Sequence, residues 1–132
     1  MSRLCLDTSA YSRFMRGHPA VVERVSTATW LGVPAVVLGE LRTGFLLGRR
    51  AARNETELAA FLANPVVRVL EVDDEAATVY AEIIVALRRV GTSVPTNDAW
   101  IAALAVREGV PVLTYDAHFG RIARTGTRLL RD

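Results

Sequence analysis

The sequence predicts an α/β fold in which a mostly parallel sheet is covered by helices on both faces. Short apolar runs typical of buried strands alternate with longer segments whose apolar residues recur at helical spacing. The connections between them are short, and acidic residues follow several of the apolar runs. In such folds the ligand site lies beyond the carboxyl ends of the strands. We therefore expect these acids at the functional edge of the sheet.

The first strand is a short apolar run, and the Asp7-Thr8-Ser9 triplet that follows it has the side chains of a helix N-cap. The spacing of apolar residues predicts five elements up to Gly48. These are a strand over residues 3–6, helices over 11–16 and 20–29, a strand over 31–33 and a helix that begins at 35.

The second half of the chain has clear helix start and stop signals. Asn54 is predicted to cap a helix, Asp73 and Asp74 to cap a longer one, and Gly91 to end it. A helix rich in small residues begins at Asp98. Thr96 or Asn97 could cap this helix as well as Asp98 could. The predicted ranges are helices over 54–62, 75–90 and 98–108, and strands over 66–72, 110–114 and 127–130.

The bulk properties fit one domain over residues 1–132, and a hydrophobic content of 51% argues against disorder. No apolar run is long enough to span a bilayer, and the first strand begins too early to leave room for a signal peptide. The single cysteine, Cys5, lies inside that strand, which is typical of a reducing compartment. We therefore expect a cytoplasmic protein with no membrane partner.

All 16 basic residues are arginine, and the formal net charge is +2. Coding bias in a GC-rich genome accounts for the absence of lysine, but guanidinium groups also suit bidentate contacts to phosphate or carboxylate. The two densest arginine groups lie within residues 42–53 and 121–131. They are interpreted as solvated surface, a path for an RNA backbone or a seat for an acidic partner.

Four acidic residues form the most informative pattern: Asp7, Glu40, Asp98 and Asp116. Each has an ordinary explanation by itself, as a helix cap, a turn residue, a partner of a helix dipole or part of a solvated helix face. At one sheet edge, however, they would repel one another unless protons or a hard divalent cation neutralised them. The pattern therefore predicts a Mg²⁺ site, with Mn²⁺ as the alternative, at which an activated water attacks a phosphodiester.

Three hydroxyl residues, Thr8, Ser9 and Thr114, lie beside these acids and could hydrogen-bond a carboxylate, a water or a phosphate. Capping and turn formation are their ordinary alternatives. His18 and His118 are not paired at metal-ligand spacing, so both are interpreted as structural or surface residues. No P-loop, dinucleotide-binding glycine turn, serine nucleophile elbow or zinc-type Cys/His cluster occurs, which removes most competing chemistries.

Four parts of the chain form a recognisable set: LDTS at residues 6–9, Glu40, PTNDAWIAA at 95–103 and LTYDAHF at 113–119. Together they resemble a PIN domain and, more narrowly, the VapC-type toxins of toxin–antitoxin pairs. The resemblance implies a three-layer α/β/α sandwich with a central parallel sheet and a Mg²⁺- or Mn²⁺-dependent endoribonuclease site. The family's acidic positions match Asp7, Glu40, Asp98 and Asp116, and its small hydroxyl position matches Ser9.

The resemblance also implies partners. Such toxins typically dimerise and are held inactive by a small VapB-type antitoxin that also binds DNA. We therefore expect a homodimer or a toxin–antitoxin hetero-oligomer, and an RNA substrate whose cleavage inhibits translation and growth. Two alternatives stay open: a housekeeping PIN nuclease that matures RNA, and a catalytically silent RNA- or protein-binding module of the same fold.

Overall fold

The structure, a computed structural model, describes residues 2–132 and contains five strands and six α-helices. The strands are β1 (Ser2–Leu6), β2 (Ala28–Pro34), β3 (Val67–Leu70), β4 (Val112–Thr114) and β5 (Thr127–Leu129). The helices are α1 (Thr8–Met15), α2 (Pro19–Thr27), α3 (Ala35–Leu47), α4 (Ala51–Leu62), α5 (Asp74–Arg89) and α6 (Thr96–Glu108). A short 3₁₀ helix, Ala117–Arg121, connects β4 to β5. None of the helices described is long and apolar enough to cross a membrane.

The sheet has the strand order β3-β2-β1-β4-β5, and all four neighbouring pairs are parallel. Right-handed crossovers put α1 to α4 on one face and α5 and α6 on the other, which confirms the predicted three-layer α/β/α fold. The chain proceeds from β1 towards one edge and later from β4 towards the other. The carboxyl ends of β1 and β4 therefore flank the switch point at which ligands bind in such sheets.

The core lies on both faces of the central strands, and α6 is its most buried helix. Ala99 and residues 101–105 of α6 are all buried, and four of these six side chains are alanine, which lets the helix lie close to the sheet. Close packing also explains Gly32 in β2, where a Cβ would lie 2.8 Å from both the Leu70 side chain and the Trp30 ring. Cys5 is fully buried in β1, and burial raises the pKa of its thiol.

Three helix starts differ from the predicted ones by two residues or more. Helix α1 begins at Thr8 rather than residue 11, because the Asp7 carboxylate caps it by accepting the Ala10 N–H. Helix α4 begins at Ala51, so Asn54 is not its cap; the Asn54 N–H instead donates to the Arg50 carbonyl, inside the first turn. Helix α6 begins directly after Pro95, so neither of the residues predicted as its cap has that role.

The strand boundaries also shifted. β2 is longer than the predicted 31–33, because Ala28 already pairs with Ser2 of β1. For the same reason α2 ends at Thr27, before the predicted residue 29. β3 and β4 are shorter than predicted, and β4 begins only at Val112, after Pro111. The last strand, which had a weak sequence pattern, is present and pairs with β4.

Candidate metal centre

Asp7 is buried between the end of β1 and the start of α1, with 4% of its surface exposed. Its carboxylate accepts hydrogen bonds from the Ala10 N–H at 2.8 Å, from the Ser9 hydroxyl at 2.8 Å and from the Thr114 hydroxyl. Burial raises the pKa of Asp7, those hydrogen bonds lower it, and the charge of Asp116 raises it again. The three donors offset much of the desolvation that a buried carboxylate suffers.

Thr114 joins the ends of β1 and β4. This residue is fully buried, and its hydroxyl both donates to Asp7 and accepts the Asp116 N–H at 2.8 Å. Ser9 makes a parallel connection, because its hydroxyl accepts the Tyr115 N–H at 3.0 Å while donating to Asp7. These two hydroxyls therefore fix the Asp7 carboxylate relative to the backbone that carries Asp116.

The Glu40 side chain faces the first turns of α1 and α6 and is not part of a solvated helix face. The Thr8 hydroxyl donates to its Oε1 at 2.6 Å, and the Asn97 amide donates to its Oε2 at 3.4 Å. These contacts connect α3, which carries Glu40, to the first turns of α1 and α6. Asn97 was predicted only as a helix cap, and its side chain orients a carboxylate instead.

Asp98 lies in the first turn of α6, and 14% of its side chain is exposed. Burial and the charges of Asp116, Glu40 and Asp7 together raise its pKa to about 6, and the charge of His118 partly opposes them. Each of the other three predicted acids therefore destabilises the charged form of Asp98. This mutual repulsion is the electrostatic signature of carboxylates gathered at one site.

His118 faces the acids, which its interpretation as a structural or surface residue did not foresee. Its Nδ1 lies 3.0 Å from Asp116 Oδ1 and 3.6 Å from Asp98 Oδ2. One ligand atom from each of these three residues lies within 4.8 Å of the others, and among the described residues this is the one such group. The available signal was its position two residues after Asp116. His18 lies elsewhere, with its Nδ1 2.9 Å from Asp132.

The residues present fit a divalent cation. Asp98, Asp116 and His118 supply converging ligand atoms, whereas Asp7 and Glu40 lie outside that tight group and adjoin it through Thr114 and Asn97. Carboxylate oxygens are the ligands that hard cations such as Mg²⁺ and Mn²⁺ prefer. A cation here would relieve the repulsion that raises the pKa of Asp98.

The family model for the PIN domain matches residues 4–125 of this chain. The chain is 32% identical over 121 residues to "Ribonuclease VapC5" of Mycobacterium tuberculosis, an alignment that covers 89% of this chain and 85% of that protein. Among solved structures, DNA-bound VapBC from Salmonella typhimurium has a TM-score of 0.85 at 27% identity, covering 97% of this chain and 98% of that chain.

A third similar protein is VapBC-5 of Mycobacterium tuberculosis, described as a member of the VapBC family of toxin–antitoxin systems. Its TM-score is 0.72 at 28% identity, and the match covers 100% of both chains. This chain belongs to the PIN domain family, and its similarity within that family is to the VapC ribonucleases. The resemblance drawn from the sequence is therefore confirmed.

Proposed function

We propose that this nuclease is a metal-dependent endoribonuclease toxin and that Asp7, Glu40, Asp98 and Asp116 form its catalytic site. The observation that carries the proposal is the convergence of Asp98, Asp116 and His118, which each offer a ligand atom within 4.8 Å of the others. Burial and the three other acids also raise the pKa of Asp98 to about 6. Such a cluster is unfavourable for folding and is expected where a site serves a cation. Mg²⁺ is the proposed metal, and Mn²⁺ is the alternative.

In the proposed mechanism Asp98 and Asp116 would hold the cation, with Asp7 and Glu40 beside them. When bound, a divalent cation would supply a water of lowered pKa and positive charge to offset the charge that develops on the phosphate. The Ser9 and Thr114 hydroxyls orient the Asp7 carboxylate, as the Thr8 hydroxyl and the Asn97 amide orient Glu40. These contacts fix the carboxylates before RNA arrives, which lowers the cost of reorganisation in the transition state.

The same proposal extends to partners and location. A VapB-type antitoxin is the proposed inhibitor, because the similar solved structures are of VapBC proteins. A cavity of about 440 Å³ beside α1, α3 and α4 supports this, since it combines apolar Met15 and Phe45 with Arg16, Arg50 and Arg53. We further propose a single nuclease domain over residues 1–132 that acts on RNA in the cytoplasm, as a homodimer or bound to the antitoxin.

The test compares two isosteric substitutions, Asp98→Asn and Asp74→Asn. Both residues lie in the first turn of a helix, but Asp74 is exposed on α5, remote from the cluster. Expression of the wild type and of Asp74→Asn should arrest growth and produce discrete new RNA 5′ ends. Asp98→Asn should do neither. The purified variant should lose at least about a hundredfold in the rate of Mg²⁺-dependent cleavage, because mutation of residues that only hydrogen-bond to metal ligands already lowers metal affinity or activity by about 10–100-fold.

Three outcomes would contradict the proposal in different ways. Cleavage by folded Asp98→Asn at the wild-type rate would show that the acids do not form the catalytic site. Metal-dependent cleavage without growth arrest would instead indicate the housekeeping RNA-processing nuclease. RNA or partner binding that is indifferent to Mg²⁺, with no cleavage by the wild type, would indicate the catalytically silent module.

A further inference from the structure

The turn after β4 brings the imidazole of His118 to the carboxylates. Asp116 caps the 3₁₀ helix, with its Oδ1 accepting the His118 backbone N–H at 2.8 Å. The same oxygen lies 3.0 Å from Nδ1 of the His118 ring. Backbone and ring of one residue therefore approach a single carboxylate, so the cap that shapes the turn also fixes the direction of the imidazole.

The Nδ1 atom of the His118 ring lies on the side that faces the carboxylates. Although 41% of the His118 side chain is exposed, Nδ1 itself is buried and has no hydrogen-bond partner of acceptable geometry. A buried polar atom without a partner destabilises the folded state. This nitrogen therefore needs a partner that converges on it from the side of Asp98 and Asp116.

The spacing of the three ligand atoms suits one shared cation. In an octahedral site with bonds of about 2.1 Å, neighbouring ligand atoms are about 3 Å apart. Nδ1 lies 3.0 Å from Asp116 Oδ1 and 3.6 Å from Asp98 Oδ2, which is near that separation. A hydrogen bond of good geometry to either oxygen would instead have satisfied Nδ1 directly.

We propose that His118 Nδ1 is a direct ligand of the metal and raises the affinity of this site for Mn²⁺ relative to Mg²⁺ above that of a site with oxygen ligands alone, an inference that rests on the proposed metal-dependent function. Mg²⁺ is a hard cation that prefers oxygen ligands and retains several waters. Imidazole nitrogen suits first-row transition metals better. The nitrogen donor therefore shifts selectivity without changing the carboxylates that any divalent cation would use.

The experiment uses the full chain and the metal ions alone. Pulsed electron paramagnetic resonance of Mn²⁺-loaded protein detects the nuclear coupling of a directly bound imidazole ¹⁴N. The wild type should show this coupling, and His118→Ala and His118→Gln should lack it. His18→Ala is the matched control and should retain it, because His18 also lies beside a carboxylate, at 2.9 Å from Asp132, but away from the cluster.

Calorimetric titration of the same proteins measures selectivity. The Mn²⁺ to Mg²⁺ affinity ratio should fall by about tenfold or more in both His118 variants, as expected for loss of a group in or next to a metal shell. The Gln variant keeps a polar side chain of similar reach, and thermal unfolding of each variant verifies that it is folded.

The outcomes separate this inference from the proposed function. Mn²⁺ binding and metal-dependent cleavage without ¹⁴N coupling in the wild type would overturn the role of His118 and leave the nuclease proposal intact. Coupling that persists in folded His118→Ala would assign the nitrogen to another residue and also overturn it. A wild type that binds neither metal and does not cleave RNA would overturn both.

Discussion

At the scale of single residues, two acids of the candidate site differ in how far hydrogen bonds stabilise their charge. Asp7 is almost fully buried but has three hydrogen-bond donors. Asp98 is more exposed, and burial and the charges of Asp116, Glu40 and Asp7 raise its pKa to about 6. The pKa of Asp7 is raised as well, so the folded state penalises the charged form of both carboxyls. The charge destabilises the folded state, and its proposed use is to bind a cation at the site.

This penalty predicts a pH-dependent effect of Asp98→Asn on stability. The pKa of Asp98 is raised from 3.8 to about 6, so the folded state holds this proton more tightly than the unfolded chain does. The contribution of Asp98 to the free energy of unfolding therefore falls as pH rises between those two values and is constant above them. Without metal, Asp98→Asn should be more stable than the wild type by about 1 kcal/mol near pH 8, a figure kept low because solvent screens a partly exposed group.

Urea denaturation in the presence of a chelator, at about pH 4 and about pH 8, measures this difference. Near pH 4 the two proteins should converge, because the wild-type carboxyl is then protonated. Asp74→Asn, in the first turn of α5, should not show the gain at high pH. Equal stability of Asp98→Asn and the wild type near pH 8 would show that the acids do not repel one another as the structure indicates.

At the scale of secondary structure, a glycine within α3 and a glycine at the end of α6 have opposite effects on stability. Gly44 lies on the exposed side of α3, where a Cβ would meet no atom within 4 Å. Gly109 follows α6 with φ +69°, the left-handed conformation that L side chains rarely adopt. Gly44→Ala should therefore raise the free energy of unfolding by about 0.5–1 kcal/mol, and Gly109→Ala should lower it by about 1–2 kcal/mol.

Urea unfolding of both glycine variants beside the wild type checks this pair of signs. The midpoints should move in opposite directions while the dependence on urea concentration stays the same. A destabilised Gly44→Ala would show that this face of α3 is already packed against another surface, such as a second copy of the chain.

The sequence was most informative where structure is local. The strands before Asp7 and Asp116 were predicted because a short apolar run and a following turn are both encoded within a few residues. The start of α4 was not, because Ala51 and its neighbours offer no capping side chain, whereas Asn54 is a frequent cap. Helix boundaries of this kind depend on packing rather than on a local signal.

The contacts within the candidate site were not predictable in the same way. The hydrogen bond from Thr114 to Asp7 joins residues 107 positions apart. The approach of His118 to Asp98 depends on how β4 and α6 are placed relative to each other. Residue types and their positions at the strand ends therefore indicated the chemistry, but only the assembled fold brings His118 to the acids as a candidate ligand.

At the scale of the whole molecule, the acid cluster exists only when the fold is complete. Its four acids come from the start of α1, the middle of α3, the start of α6 and the end of β4, which the strand order brings to the switch point. The unfolded chain does not hold them together, so a divalent cation should bind the native state far more tightly than the unfolded state. Metal binding and folding are therefore coupled.

The coupling predicts that metal stabilises the entire domain. At a free Mg²⁺ or Mn²⁺ concentration of about 100 times the dissociation constant, the free energy of unfolding should rise by about 2.7 kcal/mol. Urea unfolding with the metal, with a chelator, and with NaCl at matched ionic strength measures this gain. Asp98→Asn removes both a proposed ligand and the repulsion that acts on Asp98, so it should begin more stable and gain little from metal. Equal gains in the wild type and in Asp98→Asn would mean that the cation acts at the general protein surface, not at the acids.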